Sequence, residues 1–430
     1  MRGIGYALMN FINGIPAEER RAHSFVFYVL PHENTRFGDP LKLLDTEGMD
    51  FEVRQIAMPP RLKPGPPPAR HFKVVPGRLA NLPRRVINSS LRLADFYTGD
   101  PRKQNLKGID VYLQPDQSLP LPSKIGLKKA MIIYDIIPYV LDGDYLTSYR
   151  TARERGYSFK GSVRCGISRW LYAHKIKVNS RRADLLLSIS SHTKQDFVKI
   201  LGVEDSKIAV TPLGVTQPGK SVKAEAPNYR YVESTWGYLK QPYELPKATP
   251  FLLFVGGADR RRSLSDLVAA FNNLRAEGHD LKLVLSGDIM QGPLNIPTPE
   301  TQYALTNSSY LDDIIFMGFT EDSVRDWLYK NCLAFVYPSR YEGFGLPVLE
   351  AMVYGSPVIC YENGALKEIG GEAPLYANDS ETLRQKILEL LSASNKQLSV
   401  MRANGEAQAA KFSWTKTAKD MLSHLSQLDG

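Results

Sequence analysis

Two carboxylates, Glu342 and Glu350, stand on either side of the turn Gly343-Phe344-Gly345. Their spacing does not make them neighbours on one helix face. One acid therefore belongs to the turn and the other to the element that follows. That element opens with Leu346 and Pro347 and continues through Val348, Leu349, Ala351 and Met352 to Gly355. Proline sits in the first-turn slot, where a missing N–H does no harm, and glycine sits where a helix stops. The pattern predicts a helix whose N-terminal N–H groups, from Gly343 to Leu346, can hold an anion. On spacing alone, the pair reads equally well as a loop glutamate and a surface glutamate. A second cluster lies upstream, in ADRRRSLSDLVAAF, where Arg261 and Arg262 stand at the start of a helical run. Cations there oppose the helix dipole unless an anion lies between them, and guanidinium suits two-pronged contact with phosphate oxygens.

The elements that must position these groups alternate. Strand-like runs read at 24–30, 51–58, 108–115, 129–138, 183–190 and 207–215, then at 251–257, 282–287, 312–319 and 333–339, with SPVICYE after the Gly355 stop. Amphipathic stretches lie between several of them, among them HTKQDFVKILGV with a start signal at Ser191, EDSVRDWLYK, 380–395 and 397–427. Such alternation argues for parallel sheets wrapped by helices. Ligands in these sheets collect at the carboxyl ends of strands, which favours Asp135 in YDIIP, where Pro138 is expected to stop a helix. Gly287 and Gly318 end strands where a nucleotide base could approach the backbone. PPRLKPGPPPAR at 59–70 reads as a stiff loop. Residues 142–182, polar, aromatic and basic, are expected to form loops and a helix lining a cleft. The organisation expected is a first domain over 1–220, an extended connection over 221–250, a second domain over 251–410 and a last helical segment over 411–430.

The stretch EGFGLPVLEAMVYGSPVI closely resembles the donor-site signature of retaining family-4 glycosyltransferases of the GT-B fold, and the resemblance extends over most of the chain. It implies two Rossmann-like domains facing across a cleft, a nucleotide-diphosphate sugar as donor, and no cofactor or metal. It implies that Glu342 and the backbone of Gly343, Phe344, Gly345 and Leu346 face the donor sugar, and that Glu350 holds the ribose hydroxyls. Arg261 and Arg262 match the family's Arg-Lys pair that grips the diphosphate, with arginine in place of lysine. Gly256, Gly257 and Gly287 join the donor-binding set. Asp135 is expected to contact sugar or acceptor, beside Tyr134 where many relatives have histidine. Gly3 and Gly5 match a Gly-Ile-Gly loop at the mouth of the cleft, which in relatives follows a first strand. Only Met1 and Arg2 precede it here, so that strand is expected to be missing. The Tyr-Asp-Ile-Ile-Pro form is similar to mannosyl- and rhamnosyl-transferring relatives in bacterial polysaccharide assembly. Two further readings stay open: a weakly catalytic binding or assembly module, and a sugar-nucleotide epimerase on the same fold.

Composition bounds the partners. At 430 residues the chain is long enough for two or three domains, and 43% hydrophobic with 23% charged residues is ordinary for a globular protein. No apolar run is long enough for a membrane span and no secretory signal opens the chain, so a cytoplasmic enzyme is expected. Three scattered cysteines point to a reducing compartment without disulfides or zinc spacing. The net charge of +9 is split unevenly, with +14 over residues 1–220 and −5 over the rest. A basic first half is expected to visit an anionic membrane face, where a glycan or lipid-linked acceptor would be met. No zinc finger, RNP signature or base-reading helix points to nucleic acid.

Overall fold

The computed structural model describes residues 4–29, 43–55, 105–122, 126–217, 226–235, 237–245 and 249–429. Gly3 and the proline-rich 59–70 segment lie outside them. Strands β1 (Ser24–Val29) and β2 (Asp50–Gln55) form a parallel pair. A four-stranded parallel sheet follows, in the order β3 (Val111–Gln114), β4 (Lys128–Ile133), β5 (Leu185–Ser188), β6 (Ile208–Val210). The second half is built on an eight-stranded sheet. Its strands in chain order are β7 (Tyr229–Ser234), β8 (Gly237–Pro242), β9 (Phe251–Val255), β10 (Lys282–Ser286), β11 (Ile314–Gly318), β12 (Ala334–Tyr337), β13 (Val358–Tyr361) and β14 (Leu375–Ala377). Their spatial order is β14-β13-β12-β9-β10-β11-β7-β8. The centre of this sheet is buried on both faces, as β9, β11, β12 and β13 are buried at every position. That is why they read as unbroken apolar runs rather than as alternation.

Four expectations are corrected. The segment read as an extended connection holds the antiparallel hairpin β7–β8, which joins the sheet through Tyr231 opposite Phe316. Its outer strand is almost wholly exposed and carries Lys and Gln, so a polar composition hid an edge strand. The single run over 397–427 divides into helices Asn395–Ala409 and Trp414–Asp429, the former started by a capping box between Ser394 and Gln397. Pro138 does not stop a helix but sits in the first turn of a short one, Ile137–Val140. Finally, Ser190 rather than Ser191 caps the helix Ser191–Leu201, accepting from Thr193 N at 3.0 Å.

The last helix, Trp414–Asp429, packs on the first helix, Ile4–Asn13, and on β3 and β4. Thr417 Oγ1 donates to Pro212 O at 2.7 Å, and Tyr6 meets Trp414 edge to face. The backbone at Ser413 and Trp414 runs so close to Gly214 that a Cβ there would overlap Trp414 N. Gly214→Ala must therefore push the last helix off the first half. A loss of roughly 1–3 kcal/mol in denaturant unfolding is expected, the range of an overpacked core.

Candidate functional site

The site grows from the carboxyl end of β12. Tyr337, the last residue of that strand, is followed by a turn that brings Ser339 and Glu342 back over the strand end. Both Tyr337 and Ser339 donate to Glu342 Oε1, at 2.7 and 2.8 Å. Arg261 Nη1 forms an ion pair with the same oxygen and also donates to Tyr341 O at 2.9 Å. Arg261 and Glu342 are both buried, at 9% and 8% exposure, so neither charge is solvated without the other. Burial alone would lower the Arg261 pKa, but the Glu342 carboxylate beside it more than reverses this and holds the guanidinium ionised. Arg262 Nε donates to Tyr337 Oη at 3.1 Å, and its Nη1 pairs with Asp259 at 3.1 Å. The arginines reach these places because Ser263 turns the chain with a φ of +40° just before the helix Leu264–Ala276.

The predicted helix after the glycine turn is present as Leu346–Val353, with Pro347 in its first turn and Gly355 at φ +69° beyond its end. Gly345, at φ +112°, aims the N-terminus. Phe344 is buried and meets Phe412 edge to face, so this residue can offer a ligand its backbone and not its ring. Gly343 is where the two halves touch. A Cβ there would overlap Tyr134 O and stand 2.9 Å from Asp135 Cβ. Gly343 O accepts from Ser190 Oγ at 2.6 Å and from Thr193 Oγ1 at 3.1 Å. Glu368 reinforces this contact by accepting from Ser191 N and His192 N at 2.8 and 3.0 Å, a carboxylate from one half on a helix N-terminus of the other.

Asp135 leaves the end of β4 and accepts from Ile137 N at 3.0 Å. Burial pushes its pKa up, with Glu342 and Asp196 adding to the rise, while the Ile137 bond and Arg261 oppose it. A carboxyl whose pKa is raised by folding weakens the fold as pH rises from the ordinary carboxylate range through the raised value. Asp135→Asn should thus raise Tm at neutral pH, and the gain should vanish as pH falls below the ordinary carboxylate range. Tm measured across that range for both proteins checks it, and a gain independent of pH would contradict the assignment.

The other residues expected at the site are placed as follows. Gly256 and Gly287 adjoin at the ends of β9 and β10, so closely that a Cβ on Gly287 would overlap Gly256 O. Gly257 lies against the Arg262 guanidinium. Glu350 keeps separate company: it accepts from Tyr329 Oη at 3.4 Å, and its charge is felt by Tyr6 and Arg325. Gly5 lies inside the first turn of the helix Ile4–Asn13 rather than in a loop before it, and Gly3 is outside the described residues. Tyr134 presents a buried hydroxyl with no hydrogen-bond partner among the described residues. Sequence reasoning missed Tyr337 and Ser339, although their place at a strand's carboxyl end was the available signal. It also missed Tyr145, whose hydroxyl accepts from Arg261 Nε at 3.1 Å, and Glu368, neither of which carries a local signature. Among the described residues no group of three or more His, Cys, Asp or Glu is arranged to hold a metal. Among them, too, no helix is long and apolar enough to cross a membrane.

Residues 239–408 match the family Glycosyl transferases group 1. The O-antigen chain mannosyltransferase B of Escherichia coli is 28% identical over 244 residues, covering 54% of this chain and 58% of that protein. The serotype-specific mannosyltransferase WbdA of Escherichia coli is 29% identical over 254 residues, 58% of this chain and 29% of its own. The chain thus spans less than two thirds of the length of these curated relatives. Among solved structures, Anabaena Alr3699/HepE in complex with UDP and glucose superposes with a TM-score of 0.57 at 15% identity, covering 99% of this chain and 96% of that one. A glycosyltransferase from Rickettsia africae gives 0.55 at 13% identity, covering 99% and 95%. With the two halves touching at Gly343, the fold is that of the GT-B glycosyltransferase structures, and residues 239–408 carry the Glycosyl transferases group 1 domain.

Proposed function

We propose that this protein is a hexosyltransferase acting on a nucleotide-diphosphate sugar of mannose or rhamnose type. It passes the sugar to a glycan or lipid-linked acceptor in surface-polysaccharide synthesis, at the cytoplasmic face of the membrane. One observation carries the reading: the buried Arg261–Glu342 pair stands beside the N-terminus of helix Leu346–Val353, where that half meets Asp135 of the other. The mannosyltransferases named above support the sugar, and the bound UDP in the Anabaena structure supports the donor class.

In this reading Arg261, Arg262 and the N–H groups of Gly343 to Leu346 neutralise the charge that develops on the leaving diphosphate, and no metal is required. Glu342 orients the sugar, Glu350 holds the ribose, and Asp135 contacts sugar or acceptor. The bond from the anomeric carbon to the phosphate oxygen breaks as the acceptor oxygen attacks from the same face. The acceptor proton passes to the departing phosphate, and the anomeric configuration is retained.

A panel of nucleotide-diphosphate sugars tested by thermal shift should contain one that raises Tm. A ligand at about 100 times its Kd adds about 2.7 kcal/mol. That donor should then be turned over in EDTA to a product with the donor's anomeric configuration. Failure of every donor to raise Tm or release nucleotide diphosphate would refute the reading. Loss of turnover in EDTA, restored by manganese, would refute its metal independence.

A further inference from the structure

We propose that the outer face of the helix Phe159–Arg182 docks this protein on an anionic lipid bilayer. The helix has 24 residues, seven of them Lys or Arg and none Asp or Glu. At about 1.5 Å per residue it presents a cationic rod roughly 36 Å long. Its buried side is mostly polar, and bulky apolar groups are left on its outer side. Its buried residues are Ser162, Ile176, Asn179 and Ser180, three of them polar and satisfied. Asn179 Nδ2 donates to Gln117 O and Leu119 O at 3.2 and 2.7 Å, Ser180 Oγ to Ile176 O at 2.9 Å, and Ser162 Oγ to Ser158 O at 3.1 Å. Ile176 and Tyr172 pack on the first-half core, while three other large apolar side chains face the other way: Phe159 is 66% exposed, Trp170 56% and Ile167 52%.

At about 100° per residue, those three fall within one half of the helix circumference, together with Lys160, Arg164 and Lys175. Aromatic and aliphatic groups interleaved with long cationic side chains suit the interface of a bilayer. The rings enter the headgroup region while the Lys and Arg stems lie along it, charge outward to lipid phosphate. Tyr149 and Tyr157, also exposed, continue the face before the helix, Tyr149 meeting Phe159 edge to face. The acids flanking the helix are engaged elsewhere: Glu154 pairs with Arg150 at 2.9 Å and Asp184 accepts from Lys129 N at 2.8 Å, while Asp142 pairs with Arg169 on the helix's other side at 3.8 Å. A cavity of about 390 Å³ beside Trp170, bordered by Arg169, His174 and Lys177, gives an anionic headgroup room.

Charge complementarity selects this occupant. A second copy of the same face would set Lys160, Arg164 and Lys175 against the same cations, and nucleic acid would leave Phe159 and Ile167 without an apolar partner. The inference rests on the proposed glycosyl transfer only for why a bilayer is visited; the binding is measured without donor or acceptor. The full chain should sediment with vesicles containing phosphatidylglycerol and not with pure phosphatidylcholine, and salt should release it. Ile167→Glu with Trp170→Glu should lower the bound fraction at least about tenfold, with turnover on a water-soluble acceptor within about twofold of the parent.

In the unaltered protein, brominated phosphatidylglycerol should quench tryptophan emission, and Trp170→Phe should abolish that quenching. This readout does not depend on the folding of the glutamate variant. Binding equal on both lipids, absence of Trp170 quenching, or self-association or RNA binding that the double variant abolishes without any vesicle binding would each overturn the proposal. Loss of donor turnover alone would strike the functional reading and leave this face intact.

Discussion

Glu342→Gln should lower kcat/KM for sugar transfer by roughly 10²–10³-fold, the scale of removing one preorganised electrostatic contact from a reacting centre. The substitution is nearly isosteric, and the new amide oxygen can still accept from Tyr337 and Ser339, as Oε1 does in the parent. What it removes is the charge opposite Arg261, which is buried and held ionised by that charge. Breaking one side of a buried pair costs about 3–5 kcal/mol, so Tm should fall as well. Two readouts separate catalysis from architecture. If the carboxylate only anchors Arg261, kcat/KM measured well below the new Tm will stay within about threefold of the parent. If it also orients the donor sugar, the rate falls at temperatures where the variant is fully folded.

The legible part of the site was local. The turn Gly343–Gly345 and the helix Leu346–Val353 follow from glycine, proline and apolar spacing within a dozen residues. The all-buried strands β9, β11, β12 and β13 were legible as equally local signals, unbroken apolar runs. Other features needed tertiary information. Ser191 N and His192 N are held by Glu368, a partner 176–177 positions away that no periodicity announces. The Arg261–Glu342 pair spans 81 positions, and its members were assigned to different roles, sugar and diphosphate, rather than to each other. The hairpin β7–β8 was hidden because an exposed edge strand carries polar side chains on both faces. The outward placement of Phe159, Ile167 and Trp170 was hidden because mixed aromatic and basic composition does not reveal which side of a helix is turned outward.

Arg261→Ala combined with Arg262→Ala should weaken binding of a nucleoside diphosphate by roughly 10²-fold or more, and of the free nucleoside by no more than about threefold. Each charge-assisted hydrogen bond contributes about 1.5–3 kcal/mol, and two such donors account for that difference. The loss exceeds simple deletion, because without Arg261 the buried Glu342 carboxylate faces the incoming phosphate uncompensated. Adding Glu342→Gln to the double variant should recover part of the folding stability, since it removes that orphaned charge, but none of the diphosphate preference. Arg262→Lys on its own should keep most of the affinity, because lysine supplies a point charge at the same place. Calorimetric titration of both ligands decides the matter. Equal losses for nucleoside and diphosphate would mean that the arginines hold the turn around Glu342 in shape, and that the phosphate grip lies in the helix N-terminus alone.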